Sequence, residues 1–204
     1  MKKKLFISFL CFISSIANAN TLMIGDSVFA LTEAVPNNLR AAGLIFEMRA
    51  ETGAGIDRIF EQYQEYKLDF GAPPSIVIVN GGGNDILLSR YLKECIKKSE
   101  ICDYHIYNVA QKGAKLLLEF AKDNVSKVIF LGIHYLGDPL SVLNPTIDLG
   151  MSLFQTMCDG SPAYCVFVDP RPFFGPDKKV YLFDGVHPNK SGSQIISAMI
   201  LTQF

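Results

Sequence analysis

Residues 73–85, PPSIVIVNGGGND, decide the fold of this chain. Two prolines open the stretch, an almost purely β-branched run follows at 75–79, and glycines close it. An apolar run without alternation is typical of a strand that is buried on both faces, as in a parallel sheet. Polar residues directly after such a strand lie at the edge where parallel sheets bind their ligands. The stretch therefore predicts a buried strand with a functional loop at its carboxyl end.

Similar patterns recur along the rest of the chain. Four further apolar runs predict strands at 21–24, 43–48, 127–131 and 165–168. Amphipathic segments predict helices at 34–42, 56–66, 86–97, 107–123, 146–157 and 194–202, and the longest predicted loop spans 135–145. Strands that alternate with helices indicate an α/β fold, here a three-layer α/β/α sandwich with a five-stranded parallel sheet and right-handed crossovers.

The N-terminus has the pattern of a signal peptide. Lysines at positions 2–4 precede an apolar segment at 5–16, and Ala17 and Ala19 provide the small residues of a cleavage site. The apolar segment is shorter than the roughly 20 residues that a membrane-spanning helix needs. We therefore expect residues 1–19 to be removed after Ala19. Residues 20–204 would form one exported domain, periplasmic or extracellular, without a transmembrane segment.

Removal of the signal peptide changes the composition of the chain. The length falls to 204 − 19 = 185 residues, and the formal charge becomes (19 − 3) − 20 = −4. An acidic balance argues against a nucleic-acid partner, which would normally require a basic surplus. The remaining length suits a single domain. We expect this domain to act as a monomer.

Four cysteines remain in the mature chain, and an even number in an exported protein indicates disulfides. Four cysteines allow three pairings, which the sequence alone cannot distinguish. The pairs Cys95–Cys102 and Cys158–Cys165 are favoured because each closes a short polar loop. A metal site is the competing interpretation, but the cysteines lack C-x-x-C spacing and nearby histidines. No metal is therefore expected.

Chemically useful residues follow four of the predicted strands. Because the carboxyl ends of parallel strands meet at one edge of the sheet, these residues should converge. They are Ser27 after the first strand, Gly53 and Gly55 after the second, Asn84 after the third, and Asp184 and His187 beyond the fifth.

This set suits nucleophilic catalysis. Ser27 is a weak nucleophile until a base removes its proton, and His187 can act as that base near neutral pH. Asp184 precedes His187 by three positions and can orient its other ring nitrogen. The sequence therefore predicts a Ser27–His187–Asp184 triad.

A tetrahedral intermediate also requires preorganised donors for its oxyanion. The backbone N–H groups of Ser27 and Gly53 and the side-chain amide of Asn84 can supply three. Gly55 is the alternative to Gly53, which is favoured because it comes first after the strand.

Together the blocks resemble those of the SGNH, or GDSL-type, hydrolases, in the same order across the mature chain. The blocks are Gly25-Asp26-Ser27, a glycine after the second strand, Gly82-Gly83-Asn84-Asp85 and Asp184-x-x-His187. The resemblance implies a flavodoxin-like sandwich with strand order 2-1-3-4-5. It implies the triad above, and an oxyanion hole made by Ser27, a glycine and Asn84.

The resemblance further implies an exported serine esterase that needs no cofactor. The compact domain is similar to the periplasmic thioesterase and lysophospholipase branch, which acts on lipid or small acyl esters and thioesters. The alternatives are a carbohydrate or peptidoglycan O-acetylesterase, and an acyltransferase with the same triad. A non-catalytic binding module on this scaffold is the alternative from a different class of protein.

Simpler interpretations apply to other residues of these segments. Gly25-Asp26-Ser27 alone could be a helix-capping turn. Asp26 and Asp85 should hold loops through hydrogen bonds rather than act as acids. His134 is interpreted as structural because no acid lies near it in sequence, and His105 is expected at the surface or at a helix start. Four aromatic residues either line an acyl pocket or pack in the core: Phe173, Phe174, Tyr181 and Phe183.

Overall fold

The computed structural model describes residues 21–174 and 181–204. The predicted signal peptide, residues 1–19, lies outside the described residues. Five parallel strands form one sheet in the order β2-β1-β3-β4-β5. The strands are β1 (Thr21–Ile24), β2 (Glu47–Met48), β3 (Ile76–Asn80), β4 (Lys127–Leu131) and β5 (Cys165–Val168). This architecture confirms the predicted α/β fold and the strand order 2-1-3-4-5.

The stretch that predicted a buried strand forms β3. It pairs in parallel with β1 on one side and with β4 on the other. Val77, Ile78 and Val79 are fully buried. Burial on both faces explains why the strand is a continuous apolar run.

Eight α-helices accompany the sheet within the described residues. They are α1 (Ser27–Ala30), α2 (Ala34–Ala41), α3 (Ile56–Phe70), α4 (Gly83–Leu87), α5 (Leu92–Ile96), α6 (Glu100–Lys122), α7 (Asn144–Asp159) and α8 (Lys190–Leu201). Short 3-10 helices occupy Leu140–Leu143 and Arg171–Phe174.

The helices form layers on the two faces of the sheet. Side chains of α3, α6 and α7 pack with Val77 and Val79 on one face. Side chains of α1, α2 and α8 pack with Ile78 on the other. Each face of the sheet is therefore covered, as the three-layer prediction requires.

Two of the predicted helices differ most from the observed ones. The predicted helix 86–97 is divided into α4 and α5 because Ser89 bonds locally: its hydroxyl donates to the Ile86 carbonyl and accepts from the Tyr91 N–H. The predicted helix 107–123 begins earlier, at Glu100. His105 consequently lies in the second turn of α6, where it is partly buried, rather than at a helix start or open surface.

The structure contains both of the disulfides favoured by the sequence. Cys95–Cys102 joins α5 to the first turn of α6. Cys158–Cys165 joins the last turn of α7 to the first residue of β5. Each bridge spans seven positions, and both fasten a helix to the next element of the chain.

Across residues 21–174 and 181–204, none of the helices is both long enough and apolar enough to span a lipid bilayer.

Candidate active site

Ser27 lies three residues beyond β1, at the start of α1. The turn that presents it needs glycine at position 25, because a Cβ there would overlap the side-chain oxygen of Asn80. Asp26 caps α1, since its carboxylate accepts the backbone N–H of Val28 at 2.9 Å. This local geometry places the Ser27 hydroxyl at the carboxyl edge of the sheet.

Ser27, His187 and Asp184 form a hydrogen-bonded chain. Ser27 Oγ lies 2.9 Å from Nε2 of His187. Nδ1 of His187 lies 2.6 Å from Oδ2 of Asp184. With its Nδ1 proton donated to the carboxylate, the neutral ring can accept the serine proton at Nε2. The structure therefore brings together the three residues that the sequence proposed as a triad, although 160 positions separate Ser27 from His187.

Asp184 is held in its charged form. Oδ1 accepts the backbone N–H groups of Val186 at 2.9 Å and of His187 at 2.7 Å. Partial burial raises the pKa of Asp184, but these bonds and that from the His187 ring outweigh it, so the pKa lies below its ordinary value. The carboxylate is thus fixed in place and can orient the imidazole.

Asn84 lies in α4 and lines the same pocket as Ser27. One proton of its amide is donated to the carbonyl of Ala54 at 3.1 Å. The second amide proton is the one that a substrate oxyanion would use. Asn84 is therefore positioned by the loop that follows β2.

Gly53 and Gly55 lie on either side of Ala54 in that loop. Gly53 adopts φ +83°, a conformation that favours glycine. A Cβ at Gly55 would approach the Asp85 carboxylate to 3.0 Å, and the same carboxylate accepts the Ile56 N–H at 2.9 Å. Among the described residues, neither glycine lines the pocket that contains Ser27. The assignment of Gly53 to the oxyanion hole stays a prediction.

Two buried side-chain amides hold the turn at Gly25 and Asp26 that presents Ser27, and no motif in the sequence indicates them. Gln62 on α3 is fully buried, accepts the Gly25 N–H at 2.9 Å and donates to the Gly25 carbonyl at 3.0 Å. Asn80 at the end of β3 accepts the Asp26 N–H at 3.2 Å and donates to the Asp26 carboxylate at 2.6 Å. The available signal was a glutamine on the apolar face of the predicted helix, beside Ile59 and Tyr63.

Asp26 and Asp85 hold loops, as the sequence analysis expected. Burial raises the pKa of Asp26 above its ordinary value, although hydrogen bonds from Val28 and Asn80 oppose this effect. Burial likewise raises the pKa of Asp85, against the bond from the Ile56 N–H. His105 adds a further contact, because its Nε2 lies 2.6 Å from the Asp85 carbonyl.

His134 braces the histidine loop rather than taking part in the triad. Its ring is buried, stacks on Phe174 at 4.7 Å and lies with Nε2 2.7 Å from the carbonyl of Val186. Burial lowers the pKa of His134 to about 4, so the neutral ring donates its Nε2 proton to that carbonyl. The structural interpretation of His134 agrees with this geometry.

The aromatic residues near this loop divide between core and surface. Phe174 is fully buried, and Tyr181 packs edge-on against it at 5.7 Å. Phe173 and Phe183 are each 54% exposed, and the Phe183 ring stacks on His187. None of these four lines the Ser27 pocket.

Within the described part of the chain, no group of three or more His, Cys, Asp or Glu side chains is arranged to hold a metal ion.

Fold and site together define an α/β/α sandwich with a Ser–His–Asp chain at the carboxyl edge of its parallel sheet. No family model matches the sequence, and no curated protein matches it either. Solved structures do match it over most of its length, and TM-scores of 0.67–0.69 show that they share its fold. This fold is consistent with the resemblance to SGNH or GDSL-type hydrolases.

Three of these structures are representative. An acetylxylan esterase from Geobacillus stearothermophilus is 18% identical, with TM-score 0.69 over 91% of this chain and 94% of that one. An alpha/beta hydrolase enzyme from the metagenome of Lake Arreo, Spain, is 19% identical, with TM-score 0.67 over 91% and 94%. A putative acylhydrolase from Bacteroides fragilis is 19% identical, with TM-score 0.68 over 92% and 87%.

Proposed function

We propose that this protein is an exported serine esterase of the SGNH type, which cleaves carboxylic esters through an acyl-enzyme on Ser27. The observation that carries the proposal is the continuous chain from Ser27 Oγ to His187 Nε2 at 2.9 Å and from His187 Nδ1 to Asp184 at 2.6 Å. A nucleophile, a base and a carboxylate that orients the base, at this spacing, are the parts that ester cleavage requires.

In the acylation step, Ser27 Oγ attacks the ester carbonyl while His187 Nε2 takes the hydroxyl proton. The negative charge on the carbonyl oxygen would be stabilised by the backbone N–H groups of Ser27 and Gly53 and by the Asn84 amide. The intermediate collapses, the ester C–O bond breaks, and His187 returns the proton to the leaving alcohol.

In the deacylation step, His187 takes a proton from water and the resulting hydroxide attacks the acyl carbonyl. The bond to Ser27 Oγ breaks, and His187 protonates the serine. The products are the carboxylic acid and the free enzyme. Asp184 stays ionised throughout and stabilises the imidazolium.

The structural neighbours support this proposal. Solved variants of the acetylxylan esterase are described as catalytic mutants, in which a serine, an aspartate or a histidine is replaced by alanine. The aspartate and the histidine of that enzyme lie three positions apart, as do Asp184 and His187 here.

Export is the second part of the proposal. It is supported by the sequence pattern of residues 1–19 and by the two disulfides, which persist in oxidising compartments. The mature protein would work outside the cytoplasm, in the periplasm or the medium.

A carbohydrate O-acetylesterase is the second candidate within the same chemistry. It is favoured by the acetylxylan esterases among the structural neighbours.

The test is hydrolysis of 4-nitrophenyl acetate by the purified mature protein. Ser27→Ala should lower kcat by at least about a thousandfold, because removal of a triad nucleophile typically costs more than this. Ser152→Ala, which alters an exposed serine on α7, is the matched control and should keep full activity. Unchanged hydrolysis by Ser27→Ala would refute the proposal.

A further inference from the structure

The pocket beside Ser27 is small. Its volume is about 30 Å³. One water-sized group needs roughly 10–15 Å³ of such space, so the pocket admits about two groups. Four of its apolar lining residues are referred to below as the apolar wall, namely Gly83, Leu87, Ile133 and Leu136. The methyl and carbonyl groups of an acetyl ester would fill this space.

A second cavity shares this wall with the first. It is lined by the same four residues and extends to Ile86, Leu143 and Ile147. It contributes only about 10 Å³, and its lining is entirely apolar. The side chains between the two cavities therefore determine how far an acyl chain can extend.

Leu136 is the most buried residue of this wall. It is 3% exposed, and its backbone N–H and C=O both bond to the side-chain amide of Asn144, at 2.8 and 3.2 Å. The next residue, Gly137, donates its N–H to the Gly185 carbonyl at 2.8 Å. Hydrogen bonds thus connect this part of the wall both to α7 and to the loop that carries His187. A long acyl chain would have to break these bonds in order to displace it.

The orientation of the ester follows from proton transfer. His187 Nε2 must protonate the leaving alcohol, so the alcohol lies on the His187 side of Ser27. The described side chains there include exposed ones, since Asp184 is 41% exposed and Phe183 is 54% exposed. The acyl group then takes the small pocket, and the alcohol lies at this exposed surface, where it can be large.

We propose that the protein is selective for short acyl groups, acetyl above all, on esters of bulky alcohols, and that Leu136 sets the limit on acyl length. This inference rests on the proposed esterase function and names its substrate class. It favours acetyl esters over the long-chain lipid esters of the thioesterase and lysophospholipase branch.

The test is a series of 4-nitrophenyl esters from acetyl to octanoyl, with kcat/KM measured for each. In the wild type, kcat/KM should be highest for acetyl and fall at least tenfold by butyryl, because one methylene that does not fit a pocket typically costs tenfold or more. Leu136→Ala should join the two cavities and move the maximum to butyryl or hexanoyl. Leu118→Ala, the same change at an exposed position of α6, is the matched control and should keep the wild-type profile.

A smaller change protects the test against misfolding. If Leu136→Ala loses its cooperative thermal unfolding, Leu136→Val is used, and its ratio of butyryl to acetyl kcat/KM should still rise. A Ser27-dependent wild-type maximum at octanoyl would overturn this inference and leave the esterase proposal intact. An unchanged acyl profile in a folded Leu136 variant would also overturn it. Failure of the esterase proposal would give a different result, namely hydrolysis that does not depend on Ser27.

Discussion

At Gly25, both backbone polar groups bond to one buried side-chain amide, that of Gln62, at 2.9 and 3.0 Å. Gly25 is two residues from Ser27, so this contact fixes the turn that aims the nucleophile. Misplacement of a reacting group by about 1 Å can cost about a hundredfold in rate. We therefore propose that Gln62 is a positioning residue, which would act on catalysis through Ser27.

Replacement of Gln62 should affect turnover more than substrate binding. Gln62→Leu leaves the buried N–H and C=O of Gly25 without that partner, which should lower the free energy of unfolding by about 1–3 kcal/mol. We expect kcat for 4-nitrophenyl acetate to fall roughly tenfold to a hundredfold, with little change in KM. Gln64→Leu, two positions away on α3, is the control and should keep wild-type kcat. Wild-type kcat in a folded Gln62→Leu variant would contradict the positioning role.

His134 should make the stability of the fold sensitive to mild acid. Burial lowers its pKa to about 4, whereas an unfolded histidine titrates near 6.5. Between these pH values the unfolded chain therefore binds more protons than the folded chain does. As far as His134 is concerned, the free energy of unfolding has its full value above about pH 6.5 and declines as the pH falls towards 4. The loss should reach up to about 3 kcal/mol.

His134→Gln separates this effect from other titrations. A glutamine amide can still donate to the Val186 carbonyl, which His134 contacts at 2.7 Å, but it does not titrate. Urea unfolding at pH 7 and pH 4.5 should show a clearly smaller difference for the variant than for the wild type. Equal losses in both proteins would contradict the assignment.

At the scale of elements, the sequence predicts best where one physical rule dominates. Continuous apolar runs located β1, β4 and β5 with their observed bounds. Both faces of β1 and β4 are buried, whereas β5 is an edge strand of partly buried residues that ends on the buried Val168. The predicted strand 43–48 shrinks to Glu47–Met48, an edge strand paired only with β1. The break between α4 and α5 depends on the local bonds of Ser89, which periodicity does not reveal.

The residues of the candidate site also divide into those that one physical rule predicts and those that depend on packing. Ser27, Asn84, Asp184 and His187 come directly after strands or in a compact motif, so the rule for parallel sheets was enough to bring them together. Gln62 reaches its partner across 37 positions, and Asn80 reaches Asp26 across 54. Such contacts depend on how helices are placed on the sheet, and no local pattern in the sequence encodes that placement.

The two disulfides fasten neighbouring elements and should stabilise the fold independently. Each spans seven positions, and the loop-entropy model gives a contribution of about 2–2.5 kcal/mol for a loop of that size. Replacement of Cys158 and Cys165 by serine should lower the unfolding free energy by about that amount in urea titrations. The same replacement at Cys95 and Cys102 should add a similar loss.

Reduction provides the control for this experiment. Dithiothreitol should lower the stability of the wild type but should not lower that of the variant in which all four cysteines are serine. A wild type whose stability is insensitive to full reduction would contradict the stabilising role.

For the whole molecule, the proposed export leads us to expect a defined mature chain. Expression with a bacterial secretion system should yield a protein whose first residue is Asn20, carrying a formal charge of (19 − 3) − 20 = −4. Intact-mass measurement of the secreted or periplasmic protein tests this. Ala19→Glu should block processing, since a signal peptidase requires a small residue there. An exported wild-type chain that still begins at Met1 would contradict the cleavage prediction.

The central claim is that Ser27, activated by His187, forms a covalent intermediate. Incubation of the mature protein with a fluorophosphonate, followed by peptide mass spectrometry, tests it most directly. In the wild type we expect one adduct per chain, located on Ser27. Ser27→Ala should form no adduct, and His187→Gln should form it much more slowly. Absence of an adduct in the folded wild type, or an adduct on a different residue, would contradict it.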